Sequence, residues 1–100
     1  MLEKIKLALR IDDNDLDSEI NDEIEAAKAD LILSGVLKEN IIDDDPLIIR
    51  AIKIYCKIEF SSSEQEAERY KNSYDMLKSH LTLSSDYTVS KNVEWKNYYN

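Results

Sequence analysis

The residue types that most often carry out catalysis are scarce in this sequence, which contains one cysteine, Cys56, and one histidine, His80. A nucleophilic pair would have to combine these two side chains. Neither lies beside glycines that could form a nucleophile elbow or an oxyanion hole, and both fall on segments with helical spacing. We therefore expect Cys56 to be a small buried side chain and His80 to be an exposed or interface residue. The sequence predicts no catalytic residue and no enzyme activity.

The second candidate for chemistry is the acidic segment 12–15, which resembles the start of a calcium-binding loop. Counting from Asp13, however, the sixth position is Ser18 instead of Gly, and the twelfth is Ile24 instead of Glu. One histidine and one cysteine are also too few for the usual zinc site. We therefore expect no metal site and no cofactor, and we assign the acidic segment to helix capping and solubility.

These residues lie on a chain whose composition favours helices, because it has one glycine and one proline among 100 residues. Apolar residues recur every three or four positions in four segments. The predicted helices cover residues 2–10, 16–34, 46–60 and 64–83. They should pack as one small all-α bundle in a single domain, residues 1–87. Residues 88–100 are expected to form an irregular tail, and residues 87–89 could form a short strand.

Residues at the ends of these segments have the types that begin and end helices. Gly35 suits the positive φ that follows a helix, and Asp45, followed by a proline, should cap the third helix. Ser63 and Glu66 have the spacing of a capping box for the fourth helix. The acidic segment 12–15 should supply the N-cap of the second helix.

The third predicted helix carries apolar residues around about two-thirds of its circumference, at 100° per residue. A helix this apolar needs neighbours on several sides, from its own fold or from other subunits. The expected interface residues on this helix are Ile49, Ile52 and Phe60 on its apolar arc and Arg50, Lys53 and Lys57 in its narrow polar sector.

Arg50, Lys53 and Lys57, which we call the basic strip, have three interpretations. The preferred one is pairing with the acidic helix 16–34 of the same molecule. The second is a contact with the acidic face of a neighbouring subunit. The third is nucleic-acid binding, for which three cations are few against a net charge of −8.

The negative charge is concentrated in the first half of the chain. Residues 1–45 carry five basic and fourteen acidic side chains, whereas residues 46–100 have a net charge of +1. An acidic surface disfavours phosphate backbones, because affinity for them comes from Lys and Arg. The charge fits a protein that stays soluble, pairs with a basic partner surface, or repels nucleic acid.

The C-terminal segment is rich in aromatic residues for a polar tail. Tyr87, Trp95, Tyr98 and Tyr99 are half of all the aromatic residues. One interpretation is a disordered terminus. The other is a docking segment that becomes ordered on binding, because aromatic side chains are favoured anchors in partner pockets.

The sequence also bears on the cellular compartment. No apolar run approaches the ~20 residues that span a bilayer, and the first residues lack the uninterrupted apolar region of a signal peptide. The lone cysteine excludes an internal disulfide and favours a reducing compartment. We therefore expect neither a membrane span nor a leader.

Four segments, taken in order and spacing, resemble one known family. They are Leu2–Ile11 (LEKIKLALRI), the acidic break with the helix ending at Ser34-Gly35, Asp45–Lys57 (DPLIIRAIKIYCK) and Glu68–Tyr87 (ERYKNSYDMLKSHLTLSSDY). Over residues 1–87 the chain resembles the head–tail connector proteins, also called adaptor or head-completion proteins, of long-tailed bacteriophages and prophages.

The resemblance implies an all-helical structural subunit without catalytic residues. Such subunits form a ring, dodecamer-like in the family, beneath the portal protein, and they hold the tail-side connector or stopper protein. It further implies a protein of the virion neck that is in the host cytoplasm, and monomeric, before assembly. Passing DNA would meet the ring without specific binding, and acidic helix 16–34 would repel it if that helix faced the lumen.

Two rival functions stay open at this point. The first is a small helical DNA-packaging or DNA-recognition subunit of a phage, which requires a basic face that grips phosphate. The second is a small enzyme or metal protein, for which the sequence offers only Cys56, His80 and unmarked carboxylates.

Overall fold

The computed structural model describes residues 1–90, and over these residues it contains helices and no strand. The helices are α1 (Leu2–Leu9), α2 (Asp17–Ser34), α3 (Pro46–Glu59), α4 (Glu64–Leu83) and α5 (Ser85–Thr88), with a 3₁₀ turn at Lys38–Asn40. The prediction of an all-α fold with four main helices is confirmed, and each of their ends lies within one residue of its predicted position.

Local side-chain chemistry sets the start of two helices as predicted. The Asp45 carboxylate accepts hydrogen bonds from the N–H groups of Leu47 and Ile48, at 2.9 and 3.2 Å, at the start of α3. The Ser63 hydroxyl accepts the N–H of Glu66 at 3.1 Å. Only half of the capping box forms, because the Glu66 carboxylate instead accepts the hydroxyl of Ser62.

The residues that end α1 and begin α2 differ from those that the sequence predicts. Arg10 ends α1 in the left-handed region, at φ 60°, without being a glycine. Leu16 occupies the N-cap of α2 and makes no side-chain capping bond, so the predicted N-cap from the acidic segment 12–15 is wrong. The reason is a local turn, in which the Asp13 carboxylate accepts the N–H of Asp15 instead.

Helix α3 lies at the centre of the bundle and packs against α1, α2 and α4. The apolar α2 residues Ile20, Ile24, Ala27 and Leu31, which recur at steps of three and four, point into the core, and so do most apolar residues of α3. The fully buried core side chains on these two helices are Ile20, Ala27, Leu31, Ile48, Ala51, Ile52 and Cys56. Each large aliphatic side chain among them contributes roughly 1.5–3 kcal/mol by leaving water.

The relative directions of the helices follow from contacts at their ends. The Lys4 ammonium donates to the Asp43 carbonyl at 3.1 Å, near the start of α3, and Leu9 lies beside Phe60 at its end. Helices α1 and α3 therefore run in the same direction. Helices α2 and α4 both run opposite to α3.

Helix α5 replaces the strand predicted at residues 87–89, so that prediction is wrong. The Ser84 hydroxyl accepts the N–H of Asp86 and starts a helical turn, and the described residues offer no strand with which an extended segment could pair. The Tyr87 carbonyl accepts the Leu37 N–H at 2.9 Å and the Asn40 amide at 3.0 Å. Helix α5 thus fastens the end of the described chain to the α2–α3 connection.

Candidate assembly surface

The basic strip of α3 lies on the outside of the bundle. At 100° per residue its positions lie roughly opposite the buried Ile48 and the half-buried Tyr55. Arg50 is exposed, and Lys53 and Lys57 are half-buried. Within residues 1–90 none of the three forms an ion pair; the Lys57 ammonium instead lies 5.6 Å from the ring centre of Tyr70.

The preferred interpretation of the basic strip, pairing with α2 of the same molecule, is therefore wrong. Helix α2 packs against the other side of α3, out of reach of the strip. Within the described chain its acids pair with other lysines: Asp17 with Lys6 at 2.8 Å, Asp30 with Lys78 at 3.1 Å, and Glu25 with Lys28 of α2 itself at 3.8 Å. The strip is left with its charge facing solvent.

A groove runs along each side of the basic strip, and the two grooves share Leu47 and Arg50. The groove between α1 and α3 includes Lys4 and Ile49. The groove between α3 and α4 has a volume of about 680 Å³, and its apolar lining consists of Leu47, Ile54, Met76 and Leu77. Leu47 is 41% exposed and Met76 is 67% exposed. The strip thus begins at an apolar patch near the N-terminus of α3.

A second outward surface lies on α2, opposite its buried stripe. Its exposed residues recur at helical spacing, and we call them the α2 stripe: Asp22, Glu25, Ala29 and Leu33. Leu33 is 87% exposed, and the neighbouring Ile32 is 41% exposed. The α2 stripe is acidic in its first half and apolar at its C-terminal end, and the bundle does not cover it.

The acidic side of the molecule also contains a cleft between α2, α3 and α4. There the Tyr74 hydroxyl donates to the Asp30 carboxylate, which also accepts the Lys78 ammonium. Burial, followed by this hydrogen bond, raises the pKa of Tyr74. Burial also raises the pKa of Glu23, with the nearby Glu59 carboxylate as a second cause. The two bonds to Asp30 hold α2 to α4.

Cys56 and His80 do not form a catalytic pair in this fold. Cys56 is fully buried, and burial raises the pKa of its thiol to about 12, so the thiol stays protonated at neutral pH. His80 is exposed on α4, where it lines the groove beside Leu47. Leu47 precedes Cys56 on α3 by more than two helical turns. Both placements agree with the expectations for a core cysteine and a surface histidine.

Lys6 of α1 binds polar side chains in and beside the acidic segment 12–15. The Lys6 ammonium lies 2.8 Å from the carboxylate of Asp17 and 2.8 Å from the amide oxygen of Asn14. The hydrogen bond to Asp17 raises the pKa of Lys6. In the part of the chain that the structure describes, no group of three or more His, Cys, Asp or Glu side chains is arranged to hold a metal ion.

The other expected interface residues have different surroundings. Ile49 is 9% exposed at the edge of the α1–α3 groove, and Ile52 is fully buried in the core, so it is not available to a partner. Phe60 is half-buried beside Leu9 and Tyr70.

Of the four aromatic residues in the C-terminal segment, the structure describes Tyr87. Tyr87 is half-buried, and its hydroxyl donates to the Asp45 carboxylate at 3.0 Å. Trp95, Tyr98 and Tyr99 lie outside the described residues. Among residues 1–90, no helix is both long and apolar enough to span a membrane.

Sequence reasoning missed Met76 and the apolar end of the α2 stripe. The signal was present for Ile32 and Leu33, because both are large apolar residues that lie off the buried stripe of α2. Such residues on an otherwise acidic helix face indicate a contact outside the protein's own core.

Comparison with known proteins adds one finding to this geometry. A family model described as phage connector protein matches residues 1–88, which include all five helices. No curated protein and no solved structure matches the chain. The family match confirms the resemblance to head–tail connectors and agrees with the all-helical fold. The chain belongs to the phage connector proteins, a structural, non-enzymatic family of the phage particle.

Proposed function

We propose that the protein is a head–tail connector subunit that forms a ring beneath the portal protein and joins the DNA-filled head to the tail. The tail side of the ring would hold the next connector or a stopper protein. The observation that carries the proposal is a basic strip that forms no ion pair within residues 1–90 and adjoins an apolar groove, in a member of a family that interacts with other phage head and tail proteins.

Ring formation requires two different patches on each subunit, because a head-to-tail contact closes only if one patch binds the other on the next copy. The basic strip and the acidic α2 surface supply two patches of opposite charge. A net charge of −8 gives repulsion between free copies. The free protein would therefore remain monomeric in the host cytoplasm until the portal concentrates it at the neck of the virion.

The acidic surface also suits a passage for DNA. Carboxylates that face a lumen repel phosphates and keep passing DNA from adhering to the wall. This arrangement would let the genome leave the head through the ring without specific binding.

The direct experiment mixes the purified protein with its portal protein and examines the mixture by native mass spectrometry and electron microscopy. We expect a complex in which several copies of the chain lie on one face of the portal ring. The matched control replaces the portal with an unrelated ring-shaped protein of similar size and charge. Absence of a complex with the portal under assembly conditions would refute the proposal.

The exposed charge of the basic strip also favours a second candidate, a DNA-packaging or DNA-recognition subunit. In that function the three cations would grip phosphates, and DNA binding would weaken steeply as salt concentration rises. A mobility-shift assay at 50 and 200 mM salt separates the two functions. Tight, salt-dependent binding to DNA would favour the recognition subunit over the connector.

The aromatic tail has a proposed role in the same assembly. Trp95, Tyr98 and Tyr99 would anchor the chain to a neighbouring protein of the neck. Deleting residues 91–100 removes these side chains and leaves every helix of the bundle in place. We expect an unchanged circular dichroism spectrum and weaker binding to the portal. Unchanged binding would refute this role and favour the other interpretation, a terminus that binds no partner.

A further inference from the structure

Two surfaces that the bundle leaves uncovered have matching patterns along their helices. On α3 the outward residues run from apolar Leu47 through Arg50 and Lys53 to Lys57. On α2 the stripe runs in the other order, from the acids at its start to the exposed Leu33 at its end. Both patterns therefore have one apolar end and one charged end, and the charges are opposite in sign.

The two patterns also match in length. At 1.5 Å per residue, Leu47 to Lys57 spans about 15 Å and Asp22 to Leu33 spans about 16 Å. If the two helices lie antiparallel, Leu47 meets Leu33, Lys53 meets Glu25, and Lys57 meets Asp22. A parallel arrangement would instead place the cations against Leu33 and the apolar groove against the acids.

The residues between the two ends fit the same antiparallel arrangement. Ala29 lies opposite Arg50, and its small side chain lets the two helix axes approach closely at that point. The exposed Met76 of α4 widens the apolar patch on which Ile32 and Leu33 would rest. The apolar contacts would occupy one end of the interface and the ion pairs the rest of it, so that apolar and polar areas lie side by side as in other protein interfaces.

We propose that the α2 stripe of one copy packs antiparallel on the basic strip and α3–α4 groove of the next copy. This inference rests on the proposed self-association and names the two patches that meet. The contact is heterologous, because each subunit contributes its α2 stripe on one side and its basic strip on the other. The repeated contact generates a ring when the rotation between copies closes.

The test is a charge swap in two steps. Lys53→Glu with Lys57→Glu reverses the strip and places like charges against Glu25 and Asp22 of the next copy. We expect the copy-to-copy association constant to fall roughly tenfold or more, since two ion pairs become repulsions. Adding Asp22→Lys with Glu25→Lys reverses both partners, restores complementarity and returns the net charge to −8, so association should recover to near the wild-type level.

The matched control is Lys38→Glu with Arg69→Glu, which makes the same change in net charge at two exposed cations away from the strip. Circular dichroism and thermal unfolding verify that each variant is folded. Self-association is measured by native mass spectrometry over a concentration series, with and without the portal protein. We expect the control variant to associate like the wild type.

The outcomes separate this inference from the proposed function. Assembly of the strip-reversed variant at wild-type strength overturns the inference and leaves the connector function standing. Loss of assembly that the charge swap does not rescue also overturns it, and indicates that the strip contacts another protein. Failure of the wild-type chain to associate with itself, alone or on the portal, overturns both.

Discussion

Asp45 is the side chain whose replacement should reveal most about how the bundle is held together. Its carboxylate caps α3 by accepting two backbone N–H groups, and it also accepts the Tyr87 hydroxyl of α5 at 3.0 Å. Loss of an N-cap costs about 1 kcal/mol, and loss of one hydrogen bond between half-buried groups costs about 1 kcal/mol more. Asp45→Ala should therefore lower the free energy of unfolding by about 2 kcal/mol.

The two contributions can be separated by a double-mutant cycle. Tyr87→Phe removes only the hydroxyl and should cost about 1 kcal/mol. Once Asp45 is alanine, Tyr87→Phe should cost almost nothing more, so the double variant should be about as stable as Asp45→Ala alone. Asp45→Asn keeps a good N-cap and an acceptor for the hydroxyl, so its loss should stay below about 1 kcal/mol.

Urea unfolding followed by circular dichroism measures these differences. In a domain of this size a loss of about 2 kcal/mol lowers Tm by roughly 8–16 °C. Asp44→Ala is the control, because Asp44 is an exposed neighbour that caps nothing, and it should change stability by less than about 0.5 kcal/mol. Additive losses in the Asp45 and Tyr87 variants would refute the bond between α3 and α5.

Two further predictions concern buried or partly buried titratable groups. Burial raises the pKa of Glu23, so its ionised form is disfavoured in the fold. The protein therefore loses stability as pH rises from the ordinary carboxyl pKa to the raised one, and the loss is complete above the raised pKa. Glu23→Gln should therefore raise urea stability at pH 7, with the gain vanishing below the ordinary carboxyl pKa; a less stable Gln variant at pH 7 would contradict this reasoning. Cys56→Ala should cost about 1 kcal/mol through a small cavity, and neither it nor His80→Ala should abolish portal binding. Loss of portal binding from Cys56→Ala, with the fold intact, would reopen the enzyme interpretation, whereas the same loss from His80→Ala would indicate that the groove it lines contacts the portal.

Most of the fold could be predicted because its signals are local. Asp45, Ser63 and Gly35 have the side chains or backbone freedom that helix ends require, and the structure uses each of them as expected. The start of α2 could not be predicted in the same way. Several polar side chains compete there: the Asp13 carboxylate closes a local turn, and Asn14 and Asp17 bind Lys6 of α1.

The candidate surface was only partly predictable, because exposure depends on which helix covers which face. The apolar arc of α3 correctly indicated neighbours on several sides, yet Ile52, expected at an interface, is fully covered by the protein's own helices. The basic strip was identified by its residue types. That it forms no ion pair with α2 became evident only from the side of α3 on which α2 packs.

The surplus apolar surface of α3 therefore reduces to one end of the helix. Helices α1, α2 and α4 cover most of its arc, and Leu47 and the half-buried Ile54 remain accessible beside Met76. That uncovered patch lies next to the basic strip on α3. The exposed Leu33 likewise lies next to the acidic residues on α2. An apolar patch without neighbouring charge would bind any apolar partner surface. Charged residues beside the patch instead select a partner of opposite charge and fix the orientation in which it binds. The uncovered part of α3 is thus better suited to a specific repeated contact than to general adhesion.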